Sequence, residues 1–183
     1  MANILIACEE SQAICIAFRE RGYNAFSCDI LECSGGHPEW HFKQDVLSVI
    51  PNRGGILETG KKYFLPEGEE WDLMIAHPPC TYLSVSGARW LYHPDDANLP
   101  IEQRREHPHH IGRRLEKKKA EEFFMEFTKT NIKRWAIENP VGCMNTLYRK
   151  PDQIVQPFWF GDSASKKTCL WLHNLPPLTP TKI

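Results

Sequence analysis

No apolar run in the sequence approaches the ~18 residues that a membrane-spanning helix requires, so we expect no membrane partner. The first residues carry no positive charge ahead of the apolar stretch at 4–7, and we expect no signal peptide. The formal net charge is -1, so a general attraction to nucleic acid is excluded and any phosphate contact must be local. The glycine-rich fingerprint of dinucleotide-binding folds is missing, which argues against a dinucleotide cofactor.

The seven cysteines are an odd number and follow no regular spacing. This usage predicts reduced thiols in the cytoplasm and argues against a disulfide framework. A length of 183 residues with 42% hydrophobic content suits one soluble domain. We therefore expect a single domain over 1–183, with a long, weakly structured loop at 84–112 and an extended, proline-rich tail at 173–183.

One group of residues has the composition of a zinc site. Its members are Cys28, Cys33, His37 and His41. The stretch between Cys33 and His37 is far shorter than the ~12 residues that separate the ligand pairs of a zinc finger. Zinc is therefore an alternative, and we expect no metal.

Short apolar runs alternate with amphipathic stretches along the chain. The pattern predicts strands at 3–7, 25–28, 72–76, 134–137 and 168–172, and helices at 11–21, 46–50 and 115–130, the first of them capped by Ser11. Such alternation is typical of an α/β fold with a doubly wound, mostly parallel sheet. Because ligands of these sheets bind beyond the carboxyl ends of the strands, we expect the polar groups after four strands to converge on one rim.

Two prolines precede Cys80 and hold its turn rigid, because each fixes a backbone torsion and removes a hydrogen-bond donor. A thiolate presented by such a turn can attack an electron-poor carbon. The alternative is that Cys80 is a small buried hydrophobic residue. The polar residues that follow it, Tyr82, Ser84 and Ser86, favour the functional interpretation.

The tripeptide Glu138-Asn139-Pro140 follows another predicted strand. A carboxylate beside an amide at a strand end can bind the polar edge of a ring and donate a proton to a ring nitrogen. A helix cap or a surface salt bridge is the alternative role of the glutamate.

Acidic residues also follow the first strands. Asp29 lies about 20 residues after the first strand-to-helix turn, where an acidic residue often binds ribose hydroxyls. Asp45 is suited to accept from an adenine amino group. Glu9 and Glu10 in the first turn favour a cationic or amino-bearing ligand over a phosphate.

Taken together, these motifs resemble the cytosine-C5 DNA methyltransferases, in particular a short, phage-type branch without a target-recognition domain. The resemblance runs from Ile4 to Leu178. Its most specific pieces are WDLMIAHPPCTYLS at 71–84, AIENP at 136–140 and QPFWFGDSASKKTCLWL at 156–172. It implies a Rossmann-like fold of the S-adenosylmethionine-dependent methyltransferase type, acting in the cytoplasm, the host's if the chain is phage-encoded.

The resemblance implies a role for each matched residue. Cys80, preceded by Pro79, would attack carbon 6 of cytosine, so that carbon 5 takes the methyl group of S-adenosylmethionine. Glu138 would bind ring nitrogen 3 and the exocyclic amine, and Asn139 would position it. The cofactor would be bound by Asp29 at the ribose, Asp45 at the adenine, and the first turn at the methionine portion. The cofactor set implied is Ala7, Glu9, Ser11, Asp29, Asp45 and Pro78. A cytosine in a duplex would have to be flipped out.

Basic residues after Cys80 are candidates for contacts with DNA phosphates. In the family the loop after the cysteine closes over the target base. The set is Arg89, Arg104, Arg105, Arg113 and Arg114, together with Lys166 and Lys167, which stand by position where the family has an arginine-bearing strand. A solvated surface is the alternative, and it is preferred for 116–119.

Three functions are therefore open. The first is methylation of cytosine in duplex or single-stranded DNA, with a protein partner as one source of target recognition. The second is the same cysteine chemistry on a free pyrimidine nucleotide. The third is a catalytically silent module that binds nucleic acid or protein, which the glycine-free first turn favours.

Overall fold

A computed structural model describes residues 1–182 and forms nine strands and five α-helices there. The strands are β1 (Asn3–Ala7), β2 (Asn24–Asp29), β3 (His41–Lys43), β4 (Gly54–Ile56), β5 (Lys62–Phe64), β6 (Leu73–Ala76), β7 (Trp135–Pro140), β8 (Gln153–Val155) and β9 (Thr168–His173). The helices are α1 (Ala13–Glu20), α2 (Val46–Asn52), α3 (Val85–Ala88), α4 (Arg113–Thr128) and α5 (Met144–Leu147). No helix of this part of the chain is long and apolar enough to cross a membrane.

Seven of the strands form one sheet in the order β3-β2-β1-β6-β7-β9-β8, and β4 and β5 form a separate antiparallel pair. The pairs β1–β2, β1–β6, β2–β3 and β6–β7 are parallel, whereas β8–β9 is antiparallel. The prediction of an α/β fold with a mostly parallel sheet is confirmed. The short strands β3, β4, β5 and β8 were not predicted.

The chain divides into two compact units. Unit 1 comprises 1–78, 129–138 and 171–178, and unit 2 comprises 79–128, 139–170 and the described part of the tail from 179. The strand ends of the predicted cofactor site belong to unit 1, and Cys80 with the basic residues belongs to unit 2.

The centre of unit 1 is β1, whose five residues are all buried. A strand buried on both faces favours a continuous apolar run, as at 4–7, while the buried polar side chain of Asn3 is hydrogen-bonded to Glu69 and Asn24. Ile4 and Ile6 pack with Cys15 of α1 and Ala25 of β2 in one cluster. Burial of each large aliphatic side chain contributes about 1.5–3 kcal/mol, so this cluster anchors the strand ends.

The start of α1 differs from the prediction. Ser11 is exposed, and Gln12 precedes the helix in the left-handed region without a side-chain capping bond. The carboxylate of Glu9 instead accepts hydrogen bonds from the backbone N–H groups of Ile14 (2.6 Å) and Cys15 (3.2 Å). Ser11 Oγ has only a long contact with the Ala13 N–H (3.5 Å) and lies one residue before the N-cap, so the prediction that Ser11 caps the helix is wrong and the charged carboxylate of Glu9 takes that role.

The stretch at 84–112 is more structured than the sequence predicts. It contains α3 and two 3₁₀ turns, Pro94–Asp96 and Ile101–Gln103. Leu91, Asp96 and His107 within it are buried. Burial of a carboxylate needs a partner, and Asp96 has one in Arg105, which a pattern-based reading of a proline-rich stretch does not reveal.

Candidate functional site

The register of the parallel strands aligns four carboxyl ends in unit 1. Ala7 of β1 pairs with Cys28 of β2 and with Ala76 of β6, and Ala76 pairs with Ile137 of β7. The residues that come next in the chain are Cys8, Asp29, His77 and Glu138. They therefore lie at one edge of the sheet, as the sequence predicts, and this is the edge at which α/β proteins bind ligands.

Ala7 and Cys8 begin the first turn. Ala7 is fully buried, and its carbonyl oxygen accepts a hydrogen bond from the backbone N–H of His77 (2.9 Å). It is thus a core residue, and its side chain offers no surface to a cofactor. Burial, together with the negative charges of Asp29 and Asp45, raises the pKa of the Cys8 thiol to about 12. The two carboxylates that the sequence assigns to the cofactor therefore lie near this turn.

Glu9 is buried, and both of its carboxylate oxygens are engaged by the N-terminus of α1. Burial raises the pKa of Glu9, while its two backbone hydrogen bonds and the nearby His77 act in the opposite direction. Because Glu9 fills the position that a phosphate takes in dinucleotide-binding folds, this helix end is not a phosphate site. That agrees with the missing glycine fingerprint.

The first turn takes its shape without glycine. Cys8 and Gln12 both have φ of 60°, in the left-handed region that glycine usually occupies. The side chain of Gln12 is fully buried; its Nε2 donates to Ser27 Oγ (3.2 Å) and to the His37 carbonyl (2.9 Å), and its Oε1 accepts from the His37 N–H (3.0 Å). These bonds offset the backbone strain. The sequence offers no local signal for this role of Gln12.

Asp29 and Asp45 each use one carboxylate oxygen locally. Asp29 Oδ1 accepts from the Leu31 N–H (3.0 Å), and Asp45 Oδ1 accepts from the Leu47 N–H (2.9 Å) at the start of α2. Within residues 1–182, the second oxygen of each has no protein hydrogen-bond donor. Each oxygen can accept from a hydroxyl or amino group of a ligand.

His77 and Glu138 form a pair that the sequence did not predict. His77 Nδ1 lies 3.2 Å from Glu138 Oε2, and the two side chains are 24% and 25% exposed. His77 Nε2 is buried and has no hydrogen-bond partner among the described residues. The signal in the sequence is a histidine directly after a buried strand and before Pro-Pro-Cys, but its partner lies 61 residues away.

Cys80 begins a hydrogen-bonded turn in unit 2. Its carbonyl accepts from the N–H groups of Leu83 and Ser84, each at 3.0 Å. Pro78 is buried, Pro79 is exposed and Cys80 is partly buried with a free thiol. The alternative of a fully buried, hydrophobic Cys80 is therefore not what the structure has.

The turn after Cys80 pairs with the chain that follows Asn139. Cys143 N–H donates to the Leu83 carbonyl (2.9 Å), and Val85 N–H donates to the Val141 carbonyl (3.2 Å). A β-carbon on Gly142 would overlap the Leu83 carbonyl oxygen, so the two backbones approach as closely as glycine permits. Within unit 2 the segment that follows Cys80 is thereby joined to the segment that follows Pro140.

No family profile matches the chain, and no curated protein matches it significantly. Its function must therefore be argued from the chemistry of its own residues.

Three of the predicted phosphate-binding arginines are engaged within unit 2. Arg105 forms a two-bond pair with Asp96 (Nη2–Oδ1 2.7 Å, Nε–Oδ2 3.0 Å), which lowers the pKa of Asp96 to about 2. Arg104 donates to the carbonyls of Leu99 and Ala97. Arg113 contacts the residues directly after Cys80.

Arg113 Nη2 donates to the Thr81 carbonyl (2.9 Å), and its guanidinium lies 4.8 Å from the centre of the Tyr82 ring. These contacts hold the residues directly after Cys80. The remaining predicted phosphate ligands have less internal bonding: Arg89 stacks on Trp90 and Arg114 on Tyr92, while Lys166 and Lys167 are exposed. They are the better candidates for contact with a nucleic acid.

The four candidates for zinc ligation do not assemble. His41 is buried, and its ring nitrogens contact Ser27 Oγ (2.8 Å) and the Leu31 carbonyl (3.0 Å). Cys28 Sγ donates to the Gln44 carbonyl (3.3 Å). In the part of the chain that the structure describes, no group of three or more such side chains could hold a metal ion.

Proposed function

We propose that the chain transfers a methyl group from S-adenosylmethionine to carbon 5 of cytosine in DNA, through a covalent adduct with Cys80. The observation that carries the proposal is the pairing of Glu138 with His77 at the carboxyl edge of the parallel sheet. His77 stands three residues before Cys80, a free cysteine in a rigid turn. A base-binding carboxylate and a nucleophile are the two groups that this chemistry needs. The fold proposed is the methyltransferase variant of the Rossmann-like sheet.

The residues of unit 1 fit S-adenosylmethionine better than a nucleotide with phosphates. The first turn has no phosphate site, because Glu9 occupies the donors of α1. Asp29 and Asp45 each keep one carboxylate oxygen for a ligand, which suits ribose hydroxyls and an adenine amine. When bound, the cofactor supplies an electrophilic methyl group on a sulfonium.

The protein's own residues then have defined tasks. Cys80 Sγ forms a bond to carbon 6, and the electron pair displaced from the ring double bond makes carbon 5 nucleophilic. Glu138 donates a proton held on its carboxyl group to ring nitrogen 3 and accepts a hydrogen bond from the exocyclic amine, which stabilises the charge that develops on the ring. Transfer of the methyl group to carbon 5 would release S-adenosylhomocysteine. The carbon 5 proton then leaves to solvent, its bonding electrons re-form the C5–C6 double bond, and the S–C6 bond breaks to restore the thiolate.

Neighbouring residues hold these two groups. Pro79 and the turn bonds from Leu83 and Ser84 fix the backbone of Cys80. Asn139 is buried directly after Glu138 and orients that part of the strand. Arg89, Arg114, Lys166 and Lys167 are the proposed phosphate contacts on DNA, whose target base must leave the stack. The seven free cysteines suit a reducing compartment, and we place the activity in the cytoplasm.

The test uses labelled S-adenosylmethionine with duplex DNA, single-stranded DNA and dCMP in parallel. We expect label in DNA, and label in dCMP alone would make the chain a nucleotide-modifying enzyme instead. Cys80→Ser should lower transfer by at least about a hundredfold with cofactor affinity unchanged, because the nucleophile acts only in the chemical step. The matched control is Cys33→Ser, a partly exposed thiol that should transfer as the wild type does.

A second readout reports the adduct itself. DNA that contains 5-fluorocytosine should trap the protein covalently, since fluorine at carbon 5 cannot leave as a proton does. The trapped species should be absent for Cys80→Ser and present for Cys33→Ser. Undiminished transfer by Cys80→Ser, or cofactor binding without transfer to any of the three substrates, would refute the proposal.

A further inference from the structure

We infer that His77 is a positioning residue: its Nδ1–H donates a hydrogen bond to Oε2 of Glu138, and so leaves Oε1 of Glu138 to hold the proton that bonds ring nitrogen 3 of the pyrimidine. The inference rests on the proposed function. It assigns a task to a residue outside the Pro-Pro-Cys and Glu-Asn-Pro motifs.

The side chains of His77 and Glu138 are in hydrogen-bond contact. His77 Nδ1 and Glu138 Oε2 are 3.2 Å apart, which is hydrogen-bond distance. An unprotonated Nδ1 facing a carboxylate oxygen would place two lone pairs against each other. The contact therefore requires a proton between the atoms, and Nδ1 is the donor when Oε2 of Glu138 carries no proton.

The surroundings of the other ring nitrogen, His77 Nε2, favour the same tautomer. His77 Nε2 is buried and has no partner among residues 1–182. A buried N–H without an acceptor is costly, which disfavours the Nε2–H tautomer. The tautomer with its proton on Nδ1 is the form that satisfies Nδ1 and leaves no buried N–H without an acceptor.

The hydrogen bond from His77 orients the carboxylate of Glu138. A single donor fixed on Oε2 sets the rotation of the carboxylate and leaves Oε1 for a ligand. Both side chains are only about a quarter exposed, so a neighbour restricts them more than solvent does. Catalytic groups need this kind of support, since a displacement of about 1 Å can cost on the order of a hundredfold in rate.

The experiment combines two variants and one spectroscopic measurement. His77→Asn keeps a donor near the position of Nδ1, whereas His77→Ala removes it. We expect His77→Ala to lower kcat by about ten- to a hundredfold with KM for DNA and the cofactor Kd within about twofold, and His77→Asn to recover most of the loss. An effect of equal size in both variants, or none in His77→Ala, would overturn the inference.

The tautomer is measured without substrate, by long-range ¹H–¹⁵N correlation on protein labelled at histidine, with His77→Asn as the assignment control. The expected spectrum has a protonated Nδ1 and an unprotonated Nε2 for His77. Wild-type activity with the proton on Nε2 overturns this inference alone. A wild-type protein that transfers no methyl group overturns the proposed function and, with it, the role assigned to His77.

Discussion

Replacing Gly142 with alanine should destabilise the protein, because the new β-carbon would overlap the backbone of the turn after Cys80. It would collide with the Leu83 carbonyl oxygen and lie 2.8 Å from the Leu83 carbonyl carbon and 3.1 Å from Ser84 Cα. All three are backbone atoms, so no side chain can rotate away to relieve the overlap. The two segments must separate.

The cost follows from what separation breaks. The hydrogen bonds Cys143 N–Leu83 O (2.9 Å) and Val85 N–Val141 O (3.2 Å) join these segments, and each contributes about 0.5–1.5 kcal/mol. Overpacking of a close contact adds about 1–3 kcal/mol. The two costs are not additive, because moving the segments apart relieves the overlap but breaks the hydrogen bonds. We expect a net loss of about 2–4 kcal/mol in the free energy of unfolding.

Urea denaturation measures this loss. With a slope of about 2 kcal/mol per molar, the transition midpoint should fall by about 1–2 M. Gly68→Ala is the matched control: Gly68 has φ of +82° and its added β-carbon meets nothing within 4 Å, so only about 1 kcal/mol of backbone strain is expected. If Gly142→Ala lowers the midpoint no more than Gly68→Ala, the close approach beside the Cys80 turn does not exist.

Three further predictions concern stability. Burial raises the pKa of Glu9 above 4.5, so the folded protein loses stability as pH rises from about 4.5 through that raised value. The unfolding free energy of Glu9→Gln should therefore rise relative to that of the wild type over this window in urea titrations. A difference that stays constant with pH would contradict the prediction. Arg105 lowers the pKa of Asp96 to about 2, so the deficit of Asp96→Asn in thermal melts should be full at pH 6 and shrink between about pH 4 and 2. Gln12→Ala should cost about 2 kcal/mol in unfolding free energy because it breaks three hydrogen bonds of a buried side chain, whereas Ser11→Ala should change it by less than about 0.5 kcal/mol; the reverse order would restore Ser11 as the helix cap.

The central strands could be predicted because their signal is local. A continuous apolar run such as that of β1 is buried on both faces only in a covered, parallel sheet. Parallel strands in register then bring their carboxyl ends together, so the proximity of Cys8, Asp29 and Glu138 follows from strand positions alone. That part of the candidate site needed no knowledge of distant contacts.

The rest depends on contacts between residues far apart in the chain. The strands β4 and β5 have three residues each, and the exposure of Lys62–Phe64 gives no apolar run to recognise. The pairing of His77 with Glu138 spans 61 residues, and no sequence pattern joins them. The turn at Cys8 and Gln12 lacks glycine, because a buried amide replaces the usual conformational freedom with hydrogen bonds.

The surroundings of the other six cysteines support Cys80 as the nucleophile. Five thiols have a raised pKa with burial as its largest cause: Cys8, Cys15, Cys28, Cys33 and Cys143. A thiol kept protonated by burial is a poor nucleophile, and Cys169 is fully buried. Cys80 is partly exposed in a turn held by two prolines and two backbone hydrogen bonds. The sequence distinguishes Cys80 by the two prolines before it and the polar residues after it, and the fold adds which of the other thiols are enclosed.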